Sequence, residues 1–438
     1  MPDLSLLPPS ALADGDDLRI AGVSLRDLAR EFGTPVYVLD EDYLRARARE
    51  YVGSFTARHP GSRICFAAKA FPSASVISVF AAEGLGCDVV GAGELRLALA
   101  AGIDPALIVM HGNAKSDDDI RAALDARIGY IVVDGFDDID RISRLARTRT
   151  PVLLRVSPGI SSATHEALAT GGAGSKFGVP ADQAPAAIEL MRDDPLIDLR
   201  GLHAHIGSQI LDLAQFEAEV AALARLSRGI DPGGRPPGAP RLSVYDFGGG
   251  LGVRYVPQDS APGIDEYADR LTAAARRHLG QDIEIIVEPG RSLVAPAGLT
   301  LYQVLTIKES GRRHVAVDGG MGDNLEHSLY GQQFAPLVVG RWDEDLVVAD
   351  LVGRHCEEGD VISRDVTLAS PQLGDLIVVP GTGAYCFTMS NNYNANLRPP
   401  VVLCSAGTAR LAVRRETPDD LMAREVLVRP APGSLVTG

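Results

Sequence analysis

The chain has a single tryptophan, five cysteines and no apolar run near the roughly 20 residues needed to cross a bilayer. Cys65, Cys87, Cys356, Cys386 and Cys404 are odd in number and irregularly spaced, without a CxxC pair. That excludes a disulfide framework or zinc ribbon, gives no reason to expect a metal, and points to a reducing cytoplasm. Positive charge is also in deficit. Lys and Arg number 42 against 57 Asp and Glu, for a net charge of −15, so the basic footprint that nucleic acid requires is missing. A small anionic cofactor held by local dipoles is not excluded. The opening stretch MPDLSLLPPSALADGDD has no basic residue and no apolar core segment, so neither a secretory signal nor a membrane partner is expected.

What is present is a globular composition, 46% hydrophobic and 23% charged over 438 residues, which is too long for one ordinary core. From about residue 60 to 290, short β-branched runs alternate with Ala- and Leu-rich helical stretches. The runs are RICFAAKA (63–70), CDVV (87–90), LIVMHG (107–112), YIVVD (130–134), PVLLRVSP (151–158), LRGLHAHIG (199–207), RLSVYDFGGG (241–250) and DIEIIVEPG (282–290). Alternating strands and helices imply a parallel sheet buried on both faces, and eight units fit a closed (β/α)8 barrel better than an open doubly wound sheet. After Pro296, short β-rich segments separated by Gly, Pro and Asp predict a mostly antiparallel β domain. The Pro/Gly-rich stretch 230–240 reads as a surface loop between a helix and the seventh strand.

Polar residues in the eight runs fall at or near their C-terminal ends: Lys69, Asp88, His111, Asp134, Arg155, His205, Gly248 to Gly250 and Glu288. Active sites of (β/α)8 barrels lie on that rim. Singly, each could be a solvated strand-end residue; together they predict a site. Lys69 in CFAAKAF is set to be desolvated, which lowers a lysine's pKa and makes it a nucleophile for carbonyls; otherwise it is a snorkelling surface lysine. GGGLG (248–252) can turn backbone N–H groups onto an anion or make a plain turn. In EPGR, Glu288 could meet a protonated ring nitrogen and Arg291 a carboxylate, or the two could simply pair with each other.

AAKAF, HIGSQ, GGGLG, EPGR, HCEEGD (355–360) and GAYC (383–386) follow one another in an order that resembles the pyridoxal-phosphate (PLP) decarboxylases of alanine-racemase fold type, most closely the diaminopimelate decarboxylase family. HGNAKSD (111–117), SKFG (175–178), DGGMGDN (318–324) and RRETPDDL (414–421) extend the likeness over roughly residues 30–426. The resemblance implies that Lys69 carries PLP as a Schiff base and that His205 stacks on its ring. It implies that Ser208, Gly249, Gly250, Gly290, Arg291 and Tyr385 serve the phosphate end, that Glu288 meets the ring nitrogen, and that Asp88 and Arg155 complete the cofactor site. Cys356 is the implied proton donor, and Glu357 the group for the substrate's distal ammonium. Both are implied to reach across an obligate homodimer with shared active sites. The implied division is an N-terminal segment (1–40) joining the β domain, a PLP-binding barrel (41–296) and a C-terminal β domain (297–438).

One position departs from the pattern. The family meets the substrate's distal carboxylate with the EPGR arginine (Arg291), a tyrosine (Tyr330) and an arginine four residues before it, where this chain has Glu326. Reversing a charge near 4 Å changes the interaction by several kcal/mol at an effective dielectric of 20. Three substrate readings follow. The first is meso-diaminopimelate converted to L-lysine, with Arg291 and Tyr330 compensating. The second is a diamino acid without a distal carboxylate, such as D-lysine or D-ornithine, and the third a secondary-metabolite amino acid with a masked end. A non-catalytic PLP-binding protein and a racemase share the barrel. The first would lack the β domain, and the second would need another base in place of Cys356.

Overall fold

The computed structural model describes residues 3–159, 175–230 and 242–426; most of the loop expected at 230–240 lies outside them. Eight parallel strands close into a barrel in the order Ser62–Ala67, Gly86–Val90, Ile108–His111, Tyr130–Val133, Thr150–Ser157, Ile197–His203, Val244–Asp246 and Glu284–Val287, the last pairing back onto the first. Helices alternate with the strands as the sequence pattern predicts. Helix Asp117–Ala126 shows why: Ser116 and Asp119 form a capping box, and Asp117 to Asp119 put negative charge at the positive end of the dipole.

The two-residue period of a strand sorts the barrel's side chains. Phe66, Cys87, Val89, Met110, Val152, Leu154, Tyr245 and Val287 belong to the main core outside the barrel, under the helices. Cys65, Val109, Val132, Leu153, Val244 and Ile286 form a separate apolar layer inside it. Two residues further along five of these strands stand Ala67, His111, Asp134, Arg155 and Asp246, and past Ile286 stands Glu288. An apolar plug thus carries a polar floor, raised to the C-terminal mouth.

The second unit is built around strand Gly298–Glu309, which pairs antiparallel with Val36–Asp40, Arg313–Val317 and Leu376–Pro380. Val36–Asp40 also runs parallel to Val401–Ser405, and Arg313–Val317 parallel to Leu346–Val352, so the sheet is mixed, with antiparallel pairs in the majority. A strand from before the barrel therefore lies at the heart of the sheet that follows it. Asp40 ends that strand and caps the first long helix, Glu41–Arg58, by accepting from Tyr43 N at 2.9 Å. Among the described residues no helix is long and apolar enough to cross a membrane.

Candidate active site

A cavity of about 450 Å3 opens at the barrel mouth, lined by Lys69, Asp88, Glu94, His111, Arg155, Phe177, His203, His205 and Glu288 among others. Glu288 is 6% exposed, beside Asp88 at 2%. His111 Nε2 lies 2.6 Å from its Oε1 and His203 Nε2 3.7 Å from its Oε2, while the two imidazole rings meet edge-on at 4.5 Å. Burial, then the Asp88 charge, pushes Glu288 well above the ordinary carboxylate range. Burial likewise drives His111, His203 and His205 down, so these rings are neutral. No ion pair joins Glu288 to Arg291, so the Glu–Arg alternative for EPGR does not hold. Side-chain atoms of His111, His203, Asp246 and Glu288 lie within 4.8 Å of one another, a donor set that a metal could also use.

Lys69 sits just past its strand, in a 3-10 turn over Ala68–Ala70, and not at the strand's end as predicted. It keeps much of its surface open to the cavity, yet is enclosed enough for burial to be the largest influence on its amine. That influence lowers the pKa, but Asp88, Tyr385 and Glu288 together outweigh it, and the net shift is upward. The expectation of a lysine with a lowered pKa is corrected: neighbouring negative charge holds it as ammonium. Thr388 Oγ1 donates to Lys69 O at 2.8 Å and Tyr385 N to Ala70 O at 2.9 Å, which ties the turn to the GAYC segment.

His205 lies beyond its strand, where Gly249 N donates to its Nδ1 at 3.3 Å. The HIGSQ and GGGLG loops are zipped together: Ile210 N donates to Gly250 O and Gly252 N to Ile210 O, both at 2.9 Å. Glycine is required here. A Cβ on Gly249 would stand 2.2 Å from Glu288 O, and one on Gly250, with φ at +119°, would stand 2.4 Å from Gly207 O. Arg155 is buried beside Asp134 at 3.6 Å and lies 4.5 Å over the Phe177 ring. Gly290 packs its α-carbon against Ala67 and Ala70, where a Cβ would meet both at 3.1 Å.

Arg291, 5% exposed, lies outside that cavity's lining. Its Nε donates to Ser208 Oγ at 3.2 Å, and its Nη1 donates to the Tyr255 hydroxyl and pairs with Glu326 Oε2 at 3.3 Å. The guanidinium lies 4.6 Å over the Tyr385 ring. Tyr330 shares the one-turn helix Glu326–Tyr330, and burial, then Glu326, raises its hydroxyl pKa. Cys356 and Glu357 do not line the Lys69 cavity of their own chain. Cys356 is exposed, and its N donates to Asn394 Oδ1 at 2.9 Å. Glu357 accepts from the Tyr393 hydroxyl at 3.2 Å. Asp360 fixes their loop, taking His355 N and Met321 N at 2.6 Å each and so fastening HCEEGD to DGGMGDN.

Sequence reasoning missed His203, Asp246, Glu94, Phe177 and Tyr255. His203 and Asp246 were within reach, since both sit at inward positions of their runs. Tyr255 gave no signal, because only the packed loops bring it to Arg291.

A family model described as the pyridoxal-binding domain of pyridoxal-dependent decarboxylases matches residues 42–295. The chain belongs to that family. The chain is 41% identical over 424 residues to the diaminopimelate decarboxylase of Mycobacterium tuberculosis H37Rv, covering 93% of this chain and 94% of that one. To that of Bacillus subtilis it is 40% identical, covering 92% and 94%. The solved diaminopimelate decarboxylase of Helicobacter pylori, complexed with L-lysine, superposes with a TM-score of 0.85 at 32% identity, covering 91% of this chain and 98% of that one. The chain is therefore a PLP-dependent amino-acid decarboxylase with a barrel and a β domain, which removes the racemase and non-catalytic readings. The residues fit the cofactor. The cavity is roomy, and Asp88 Oδ1 and both His203 nitrogens have no hydrogen-bond partner.

Proposed function

We propose that this enzyme decarboxylates meso-2,6-diaminopimelate to L-lysine and CO2. The observation that carries the chemistry is the Lys69 cavity with Glu288 on its floor and His205 on its wall; the substrate follows from the relatives' shared name. When bound, PLP takes up the electron pair left by departing CO2. Lys69 would hold it covalently, and Asp88 and Glu288 beside the amine would position and orient that side chain. His205, neutral and pinned by Gly249 N, offers a flat face to the ring. Glu288 would meet the ring nitrogen, and Asp88 and Arg155, which line the same cavity, would complete the cofactor site. Ser208, Gly249, Gly250, Gly290, Arg291 and Tyr385 serve the phosphate end. Sγ of Cys356 returns a proton to the carbon that lost CO2, and Glu357 faces the substrate's distal ammonium.

Exposed Cys356 and Glu357, absent from their own chain's cavity, support a homodimer in which each β domain (297–438, joined by 1–40) completes the partner's barrel (41–296). Five free cysteines support a cytoplasmic setting. Purified enzyme should release CO2 from meso-diaminopimelate, and borohydride should fix the cofactor to Lys69; label on another residue overturns the site. Lys69→Ala and Cys356→Ala chains, each inactive, should recover about a quarter of full activity when refolded together, because half the dimers are mixed and each has one whole site. A fully active monomer would defeat the shared site.

A further inference from the structure

A second cavity, of about 370 Å3, lies within the second unit and shares no lining residue with the one at the barrel mouth. Asp318, Asp323, Arg354, His355, Asn396 and Arg415 are among its walls. At roughly 30 Å3 for each water in the liquid, it has room for a small organic molecule or ion.

The carboxylates on its wall are already served from inside the fold. Asp318 accepts from Gln303 N at 2.9 Å, and Asp323 accepts from the Tyr302 hydroxyl and from Gly320 N at 3.0 Å. Burial pushes Asp323 up to about 7 and Asp318 above its ordinary range, which thins their negative charge. The guanidiniums are served less well. Half-buried Arg415 spends its Nη2 on the carbonyls of Phe32, at 3.2 Å, and Pro35, at 2.8 Å. Burial lowers its pKa against the pull of Asp318 and Asp323, so its charge is under-compensated. Arg354 donates its backbone N to Gly319 O at 3.0 Å, while its exposed guanidinium meets no partner among the described residues. Donors are therefore in surplus and acceptors already filled, in a chain whose net charge is −15.

The cavity also abuts the loop that carries Cys356 and Glu357. His355 is pinned on its wall: Gly322 N donates to its Nε2 at 3.1 Å, and the Asn396 amide meets its Nδ1 at 3.3 Å. Arg354, His355 and Cys356 are consecutive, so whatever draws the Arg354 side chain towards Arg415 fixes the entry to that loop.

We infer that this cavity is a binding site for a small oxyanion, a carboxylate or a phosphate, held between Arg354 and Arg415, and that its occupation steadies the HCEEGD loop. The fork of a guanidinium matches either anion with two parallel hydrogen bonds. The site is separate from the decarboxylation chemistry and does not depend on which substrate the barrel takes.

The test uses holoenzyme fixed with borohydride, so that the cofactor seat stays filled. Succinate and inorganic phosphate are the probes, with chloride holding the ionic strength constant. Calorimetry should show one site per chain for at least one of the two, and which one binds tells carboxylate from phosphate. Arg354→Ala should weaken that binding by roughly tenfold or more, the worth of one charged hydrogen bond. Its guanidinium has no partner in the fold, so the variant should melt near wild type; Arg354→Gln, which keeps most of the side chain's length, should lose binding as well. Amide hydrogen exchange across residues 353–360 should slow severalfold when the anion is added to wild type and stay unchanged in both variants. Failure of both anions to bind, binding undiminished in the variants, or exchange in 353–360 indifferent to the bound anion overturns the inference.

Discussion

Glu288 and Glu326 are both almost wholly buried carboxylates, yet they are accommodated by opposite means. Glu288 sits among neutral imidazoles and other carboxylates, with no guanidinium in contact, and its pKa rises accordingly. Glu326 sits against Arg291, which draws its pKa back towards the ordinary range against the pull of burial. The difference teaches that burial alone does not set a carboxylate's behaviour. A group among neutral rings and other carboxylates is left needing a cation from a ligand, whereas one with a built-in cation is drawn back towards its ordinary range and lacks only a hydrogen-bond donor.

The largest test of that contrast is catalytic. Glu288→Gln should lower kcat by roughly a hundredfold to a thousandfold, as loss of one aligned electrostatic partner does, and should shift the cofactor's visible absorbance. Glu326→Gln should leave that absorbance in place and act through kcat/KM, measured side by side in steady state. An absorbance shift in Glu326→Gln with none in Glu288→Gln would reverse the assignment of the two carboxylates.

Stability should break the other way. Glu326→Gln leaves the Arg291 charge buried without its counter-charge and should cost roughly 3 kcal/mol, whereas Glu288→Gln removes a carboxylate from among neutral rings and should cost little. Denaturant midpoints of the cofactor-free proteins give the comparison, and equal losses would mean that the two settings do not differ as described.

The smallest effect sharpens the contrast with a third carboxylate. Glu94, at the cavity and without a guanidinium, is raised to about 7, chiefly by burial. The unfolded chain releases this proton near pH 4.5 and the folded chain only near 7, so the folded state binds more protons in between and stability falls as pH rises through that window. Melting temperatures of the cofactor-free enzyme from pH 5 to 8 should decline less steeply in Glu94→Gln than in wild type; parallel profiles would remove Glu94 as a source of the slope.

Much of the fold was legible because the eight apolar runs state the strand period plainly and their polar residues cluster at one end. The reading was least accurate at strand ends. Lys69 and His205 lie past their strands, since the 3-10 turn at Ala68–Ala70 and the loop pinned by Gly249 end the pairing earlier than composition suggests. The upward shift at Lys69 was also hidden, because burial is readable from CFAAKAF but Asp88, Glu288 and Tyr385 come from distant segments.

By itself the sequence determined the alternation of strand and helix, the polar rim and the glycine turns, all consequences of local period, capping and backbone freedom. Only the tertiary structure decided that Val36–Asp40 enters the sheet of the second unit, that Tyr255 reaches Arg291, and that Glu326 pairs with Arg291 instead of repelling a substrate alone. The physical reason is range. Period and capping act over a few residues, whereas electrostatic compensation acts through space between groups that the chain keeps tens to hundreds of residues apart until it folds.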